Sequence, residues 1–245
     1  MSASFEDLIS RVKECDKKVV AVAAAADDAV LEAVAAARSQ GIADAILVGD
    51  EAKIRELAAG LNIDLTGWRI IDEPDNVQAS LKAVKLAHDG EADMYMKGLI
   101  DTKTFLKSIL DKEVGLRTGK MLSHVAVFQV KGIEQLLFLT DVAFVTYPTL
   151  EDKVNIINNT VEVAHACGIP CPRVAPLAAV EVVNPKMPCT VDADELRKMN
   201  EDGRITGCVV DGPLSMDIAI DPEAARHKPP QHRPPAGHAH ILLFP

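Results

Sequence analysis

The chain has 245 residues and a formal charge of −10 at pH 7; 48% of the residues are hydrophobic, 25% charged and 4% aromatic. Such a chain can build one large or two smaller globular domains with an aliphatic core, and it is too apolar to be disordered. The negative charge, with no Lys/Arg-rich run or basic stripe interleaved with aromatics, argues against nucleic acid as a partner, and no apolar stretch approaches the roughly 20 residues that cross a bilayer.

Taken in chain order, the segment from Met1 to Lys18 is too mixed to be a secretory signal. Lys18 to Ala24 reads as a buried strand, followed by a helix from an Asp27 cap to Gln40 that Gly41 ends. The unit repeats: strand Ala43–Val48, helix Glu51–Ala59, strand Trp68–Ile71, then a helix opened by Pro74. Asp93–Met96 is the next strand and Thr102–Leu110 the next helix. The apolar runs His124–Val130 and Gln135–Leu139 leave no room for a crossover helix, so a hairpin is expected, followed by a long helix from Leu150 to Cys167. Strand Arg173–Ala179, helix Ala193–Asn200 and strand Gly207–Val210 complete the pattern. Repeated βα units of this spacing call for an α/β fold with mostly parallel sheets and flanking helices. The hairpin is the natural boundary, giving an N-terminal α/β domain over 1–130 and a second over 131–245. His227 to His240 is Pro- and His-rich and reads as irregular.

The five cysteines, Cys15, Cys167, Cys171, Cys189 and Cys208, are an odd number in a chain without an export signal, which predicts reduced thiols and a cytoplasmic location. Cys167 and Cys171 lack a second ligand pair, so no metal site is expected. An anionic ligand would have to be held by a local cluster of donors against the unfavourable net charge.

Four segments could supply such a cluster. Lys97-Gly98 to Thr102 runs from a strand end into a helix N-terminus, where free N–H groups and a lysine favour an anion; a solvated lysine beside a permissive glycine is the competing reading. It matches neither GxxxxGK[ST] nor GxGxxG. The loop from Gly115 to His124 collects Arg117, Lys120, Ser123 and flexible glycines, and Arg117 suits two-point binding of phosphate. His124 beside an apolar strand is expected to be a hydrogen-bonded core residue. Asp141, after Thr140, and Asp211-Gly212-Pro213 each place a carboxylate at the carboxyl end of a strand, the side on which open α/β sheets bind ligands. Thr149 and Asp152 are explained by helix capping alone.

Together these segments are more specific than any one of them. Tyr95-Met96-Lys97-Gly98 through Thr102, Arg117-Thr118-Gly119 to Ser123-His124-Val125, Thr140-Asp141-Val142-Ala143-Phe144, Val183-Asn184-Pro185-Lys186-Met187 and Val210-Asp211-Gly212-Pro213-Leu214 closely resemble the phosphate acetyl/butyryltransferase family. Leu122 to Phe128 and Tyr147-Pro148-Thr149-Leu150 look more like its butyryltransferase branch. The resemblance implies a two-domain fold of the isocitrate dehydrogenase type with a cleft between the domains, commonly a homo-oligomer. The implied reaction moves a short acyl group between coenzyme A and phosphate, both substrates, with no metal or redox cofactor. By the same resemblance Lys97, Gly98, Thr102, Arg117 and Ser123 would hold phosphate and acyl phosphate, with Asp141, Asp211 and Gly212 also binding substrate.

The resemblance weakens after about His227. Where the family carries an Ala-Gly-Asp-Ala-Asp-Ile-Leu-Leu segment, residues 236–243 read Ala-Gly-His-Ala-His-Ile-Leu-Leu, and the later Ser-Arg and Asp motif, which would supply the catalytic groups, has no counterpart. Little or no turnover and an exposed apolar sheet edge are therefore expected. The alternative is a non-catalytic module that binds acyl-CoA or phosphate.

Overall fold

Local sequence signals account for most of the elements. A short helix, α1 (Phe5–Lys13), precedes β1 (Lys18–Ala23), α2 (Asp28–Ser39), β2 (Ala43–Gly49), α3 (Glu51–Gly60), β3 (Arg69–Asp72), α4 (Asn76–His88), β4 (Met94–Lys97) and α5 (Thr102–Ile109). The helices α2 to α5 each start at an aspartate, Asp27, Asp50, Asp75 or Asp101, whose carboxylate accepts a hydrogen bond from a backbone N–H of the first turn. The cap of α4 is thus Asp75, and Pro74 lies outside the helix. After a hairpin of β5 (Ala126–Phe128) and β6 (Leu137–Thr140) come α6 (Leu150–Ala166), β7 (Arg173–Pro176), α7 (Pro188–Glu201), β8 (Val209–Val210), α8 (Met216–Ile220), α9 (Pro222–His227) and β9 (Ile241–Leu243). Helix α7 starts at Pro188 rather than Ala193, because proline at the first helical position needs no N–H partner and Thr190 Oγ1 ties the preceding turn to the Met187 carbonyl at 2.8 Å.

This computed structural model describes residues 4–227 and 235–245, and contacts group them into one unit of residues 9–119 and another holding residues up to 8 with 120–245. In the first unit the four strands are parallel in the order β3-β2-β1-β4. Because both faces are covered, β1 and β2 are apolar at almost every position. Ala21, Ala23, Ile46 and Val48 pack with Ala79, Ala83 and Leu86, while Val22, Ala45 and Leu47 pack with Leu31, Val34, Ile54 and Ala58.

The second unit holds a five-stranded sheet in the order β5-β6-β9-β7-β8. The predicted hairpin forms, with β5 antiparallel to β6 and Ala126 opposite Leu139. The last strand corrects the reading of the tail. Ile241–Leu243 does not leave an apolar edge open; it runs parallel between β6 and β7, pairing with Phe138 to Thr140 on one side and Val174 to Pro176 on the other. Ile241 and Leu243 join the core under α6 and α7, and Leu242 joins the opposite core with Ala175, Leu214 and Ile218. A strand of three residues is too short to show a period, so only the pairing reveals it. Of the Pro/His tract, Pro229, Pro230, His232 and Pro234 lie outside the described residues.

Candidate functional site

In the first unit the candidate groups gather where β4 runs into α5. Gly98 is required by close approach: a Cβ there would stand 2.3 Å from the carbonyl oxygens of both Ala23 and Ala24. The Gly98 and Leu99 N–H groups donate to those two carbonyls at 2.8 and 3.0 Å, so they are not the free donors the sequence suggests. The α5 terminus is likewise occupied. Asp101 accepts from the Thr104 hydroxyl at 2.6 Å and the Thr104 N–H at 2.9 Å, and these bonds, the hydroxyl's first, hold its carboxyl below the usual range. A negative charge therefore already sits on this helix dipole. The Lys97 ammonium is exposed and donates to Thr102 Oγ1 at 3.2 Å, which brings Lys97, Gly98 and Thr102 into one cluster.

Arg117 belongs to the same unit but joins none of these groups. Its guanidinium is exposed and makes no hydrogen bond or ion pair among the described residues. The loop bearing it is anchored: a Cβ on the buried Gly115 would lie 2.4 Å from the Asp111 oxygen, and the Gly115 carbonyl meets His88 Nδ1 at 2.9 Å. That glycine serves packing, whereas Gly119, at φ 80°, takes the left-handed conformation that glycine permits.

In the second unit the parallel strands β6, β9, β7 and β8 end on one edge of the sheet, at Thr140, Leu243, Pro176 and Val210. Asp141 is buried there and acts as a clamp: its carboxylate accepts from the N–H groups of His124 at 2.7 Å and of Ala143 and Phe144 at 2.8 Å. Burial alone would raise its pKa, but the donors at Phe144, Ala143 and His124 outweigh it and hold the group ionised. The Thr140 hydroxyl donates to the His124 carbonyl at 2.7 Å, so residue pair 140–141 fixes the segment carrying Ser123 and His124 just before β5. Ser123 is half-buried, and its Oγ accepts from Asn159 Nδ2 at 2.9 Å. The His124 ring differs from expectation: it stands edge-on to Phe144 at 5.5 Å, and its buried Nδ1 has no hydrogen-bond partner among the described residues.

Asp211 follows β8, buried, its N–H donating to the Val174 carbonyl at 3.1 Å. Gly212 is pressed against β7, where a Cβ would come within 2.9 Å of the Pro176 oxygen. Asp141 and Asp211 share the sheet edge but not a contact: three strand spacings separate them, roughly 14 Å. Thr149 caps α6 with the reciprocal bond from Asp152 that the sequence predicts.

Other residues that organise this edge give no sequence signal. Asn159 holds both Ser123 Oγ and the Met121 carbonyl. Asn200 donates to the Ile205 and Cys208 carbonyls and accepts from the Val210 N–H, each at 3.0 Å, which fixes the turn before Asp211. Among the described residues no group of three or more His, Cys, Asp or Glu side chains is placed to hold a metal ion, and no helix is long and apolar enough to cross a membrane.

The chain is similar to known proteins along its whole length. Residues 4–80 and 73–245 match the family described as phosphate acetyl/butaryl transferase. The phosphate butyryltransferase of Clostridium beijerinckii is 58% identical over 245 residues, covering 100% of this chain and 81% of that protein. The phosphate acetyltransferase of Thermotoga maritima is 41% identical over 241 residues, covering 98% and 81%. A branched-chain phosphotransacylase from Enterococcus faecalis V583 superposes with a TM-score of 0.80 at 31% identity, covering 93% of this chain and 79% of that one. The chain therefore belongs to the phosphate acetyl/butyryltransferase family.

Proposed function

We propose that this chain transfers a short acyl group, butyryl-like in size, between coenzyme A and phosphate. The observation that carries the reading is the 58% identity to a phosphate butyryltransferase along the entire chain. Lys97, Gly98, Thr102, Arg117 and Ser123 are assigned to phosphate and acyl phosphate, with Asp141, Asp211 and Gly212 as further substrate-binding positions. Arg117 is the strongest of these assignments, because its guanidinium is exposed, anchored through its loop and not engaged by a carboxylate. Asp141 contributes indirectly, by holding the backbone of His124 beside Ser123. Phosphate-binding donors and orientation of thiol and carbonyl are what such a transfer asks of a protein. The same reading places the enzyme in the cytoplasm as a homo-oligomer.

One feature favours a second reading, a module that binds acyl-CoA or phosphate without turnover. His238 and His240 replace acidic positions of the family pattern, and their bonds are structural: Arg173 donates from its N–H to His240 Nδ1 at 3.2 Å and from Nε to the His238 carbonyl at 2.7 Å. Incubation with butyryl-CoA and phosphate separates the readings. Phosphate-dependent release of free thiol, with butyryl phosphate trapped as its hydroxamate, supports the enzyme; saturable coenzyme A binding without thiol release supports the module. With turnover in hand, Arg117→Ala raises the phosphate KM about tenfold or more; an unchanged KM removes Arg117 from the site.

A further inference from the structure

In the second unit the amide of Asn159 controls more than the path of a loop. Asn159 sits on α6, which starts at the capping box of Thr149 and Asp152, and its neighbours Ile156 and Ile157 are fixed in the core. A group carried on such an element is held more precisely than one on a loop. Asparagine is a poor helix former, so this position gives up helix stability that an alanine would keep.

Asn159 Nδ2 meets the Met121 carbonyl at 3.1 Å and Ser123 Oγ at 2.9 Å. A carbonyl oxygen can only accept, so the Met121 contact decides which end of the amide faces this way: it is the NH2 group. Its two hydrogens go one to each oxygen. Ser123 Oγ therefore accepts, although a hydroxyl left to itself rotates to donate or accept. Its own proton is directed away from Asn159 and is donated to no other group among the described residues. The backbone beside it is fixed independently, by Asp141 at the His124 N–H and by Thr140 at the His124 carbonyl, each at 2.7 Å.

That polarity matters for the ligand assigned to Ser123. The oxygens of phosphate and of an acyl phosphate carry negative charge and accept hydrogen bonds. A hydroxyl that presents its proton binds them through a charge-assisted bond, whereas one that presents a lone pair repels them. We propose that Asn159 is a positioning residue for the phosphate substrate, setting the Ser123 hydroxyl as a donor to a phosphate oxygen. The inference rests on the acyl-transfer reading and its placement of phosphate at Ser123; it adds the group that decides which way that hydroxyl faces.

The test is a double-mutant cycle on the full chain, with KM measured separately for phosphate and for butyryl-CoA in wild type, Ser123→Ala, Asn159→Leu and the double variant. Leucine keeps the branched shape without the amide. Asn159→Ala, which adds no bulk and favours the helix, carries the same cycle if leucine disturbs the circular dichroism. The expected result is a phosphate KM raised about tenfold in Ser123→Ala and about fivefold in Asn159→Leu, with no further rise in the double variant over Ser123→Ala. The butyryl-CoA KM stays within about twofold of wild type throughout.

An amide that only anchors the Met121 loop behaves differently: its loss raises the phosphate KM as much in the Ser123→Ala background as in wild type, or raises both KM values together. Either result overturns the proposal, as does an unchanged phosphate KM in Asn159→Leu, and all three leave the acyl-transfer reading standing because they require turnover. An unchanged phosphate KM in Ser123→Ala removes Ser123 from the phosphate site and the positioning role with it. Absence of turnover in wild type sinks the acyl-transfer reading and this inference together.

Discussion

The two units solve the same problem, a mostly parallel sheet between helices, by different routes. In the first, strands β1 to β4 come from one continuous stretch of 80 residues, Lys18 to Lys97, and every helix after β1 begins at an aspartate cap. In the second, the middle of the sheet is filled by three residues from the tail, and α7 and α8 start without a side-chain cap bond. Order in the first unit follows from neighbours in sequence; order in the second depends on one distant strand finding its slot. Each unit is therefore vulnerable at a different place.

The largest effect is expected at that slot. Leu242 is fully buried among Ala175, Leu214 and Ile218, with β6 on one side and β7 on the other. Leu242→Asp buries a carboxylate with no partner and costs more than about 4 kcal/mol. Hydrogen exchange should then show loss of protection in β6, β7 and β9 while β1 and β2 stay protected. Equal loss in both sheets would break the contrast.

Gly98→Ala probes the first unit at its tightest point. The added methyl meets two backbone carbonyls at 2.3 Å, and neither is the end of a flexible side chain, so β4 and β1 must separate at a cost of about 3 kcal/mol. Denaturant unfolding measures it; a loss under 1 kcal/mol would mean that the turn relaxes and that the glycine is not there for packing.

Acid gives a third test. Burial, then the charges of Arg173 and His238, push the His240 pKa down from 6.5 to about 4. A histidine whose folded pKa is depressed is more easily protonated when unfolded, so its contribution is complete above pH 6.5 and disappears as the pH falls toward 4. The partly exposed ring limits this to about 2 kcal/mol. The second unit should lose stability across that window, and His240→Asn, which cannot charge, should flatten the profile there. A profile equally steep in the variant would assign the acid sensitivity to other groups.

Much of this was legible beforehand. The βα alternation, the hairpin at 126–139 and the caps at Asp27 and Thr149 are written in local patterns whose physics acts within a few residues. Hidden were the features that depend on distant partners. Ile241–Leu243 has no period to read, and Asn159 and Asn200 resemble any helical asparagine until their partners at Ser123 and Cys208 are seen. At the candidate site, Gly98 and Gly115 read in the sequence as permissive or flexible positions, whereas the structure shows close packing at both and at Gly212. Asp101 has no role in the sequence reading, yet capping places its carboxylate at the α5 terminus where an anion was expected.

A smaller loss is expected at the helix starts. Thr149 accepts from the Asp152 N–H at 3.2 Å, and the Asp152 carboxylate accepts in return from the Thr149 N–H at 2.9 Å and its hydroxyl at 2.7 Å. Thr149→Ala removes the outward half of this box and costs about 1 kcal/mol. Asp75→Ala removes the corresponding acceptor from α4, where the carboxylate takes the Gln78 N–H at 2.9 Å. The α4 change should lower stability by a similar amount and act within its own helix. The Thr149 change should in addition loosen the first turn of α6, and with it Lys153, whose buried ammonium is held by Asp192 at 2.8 Å. Exchange rates at residues 150–156 and 190–194 should therefore rise together in Thr149→Ala, while Asp75→Ala raises only those of its own helix; equal, purely local changes would show that the second unit is no more interdependent than the first.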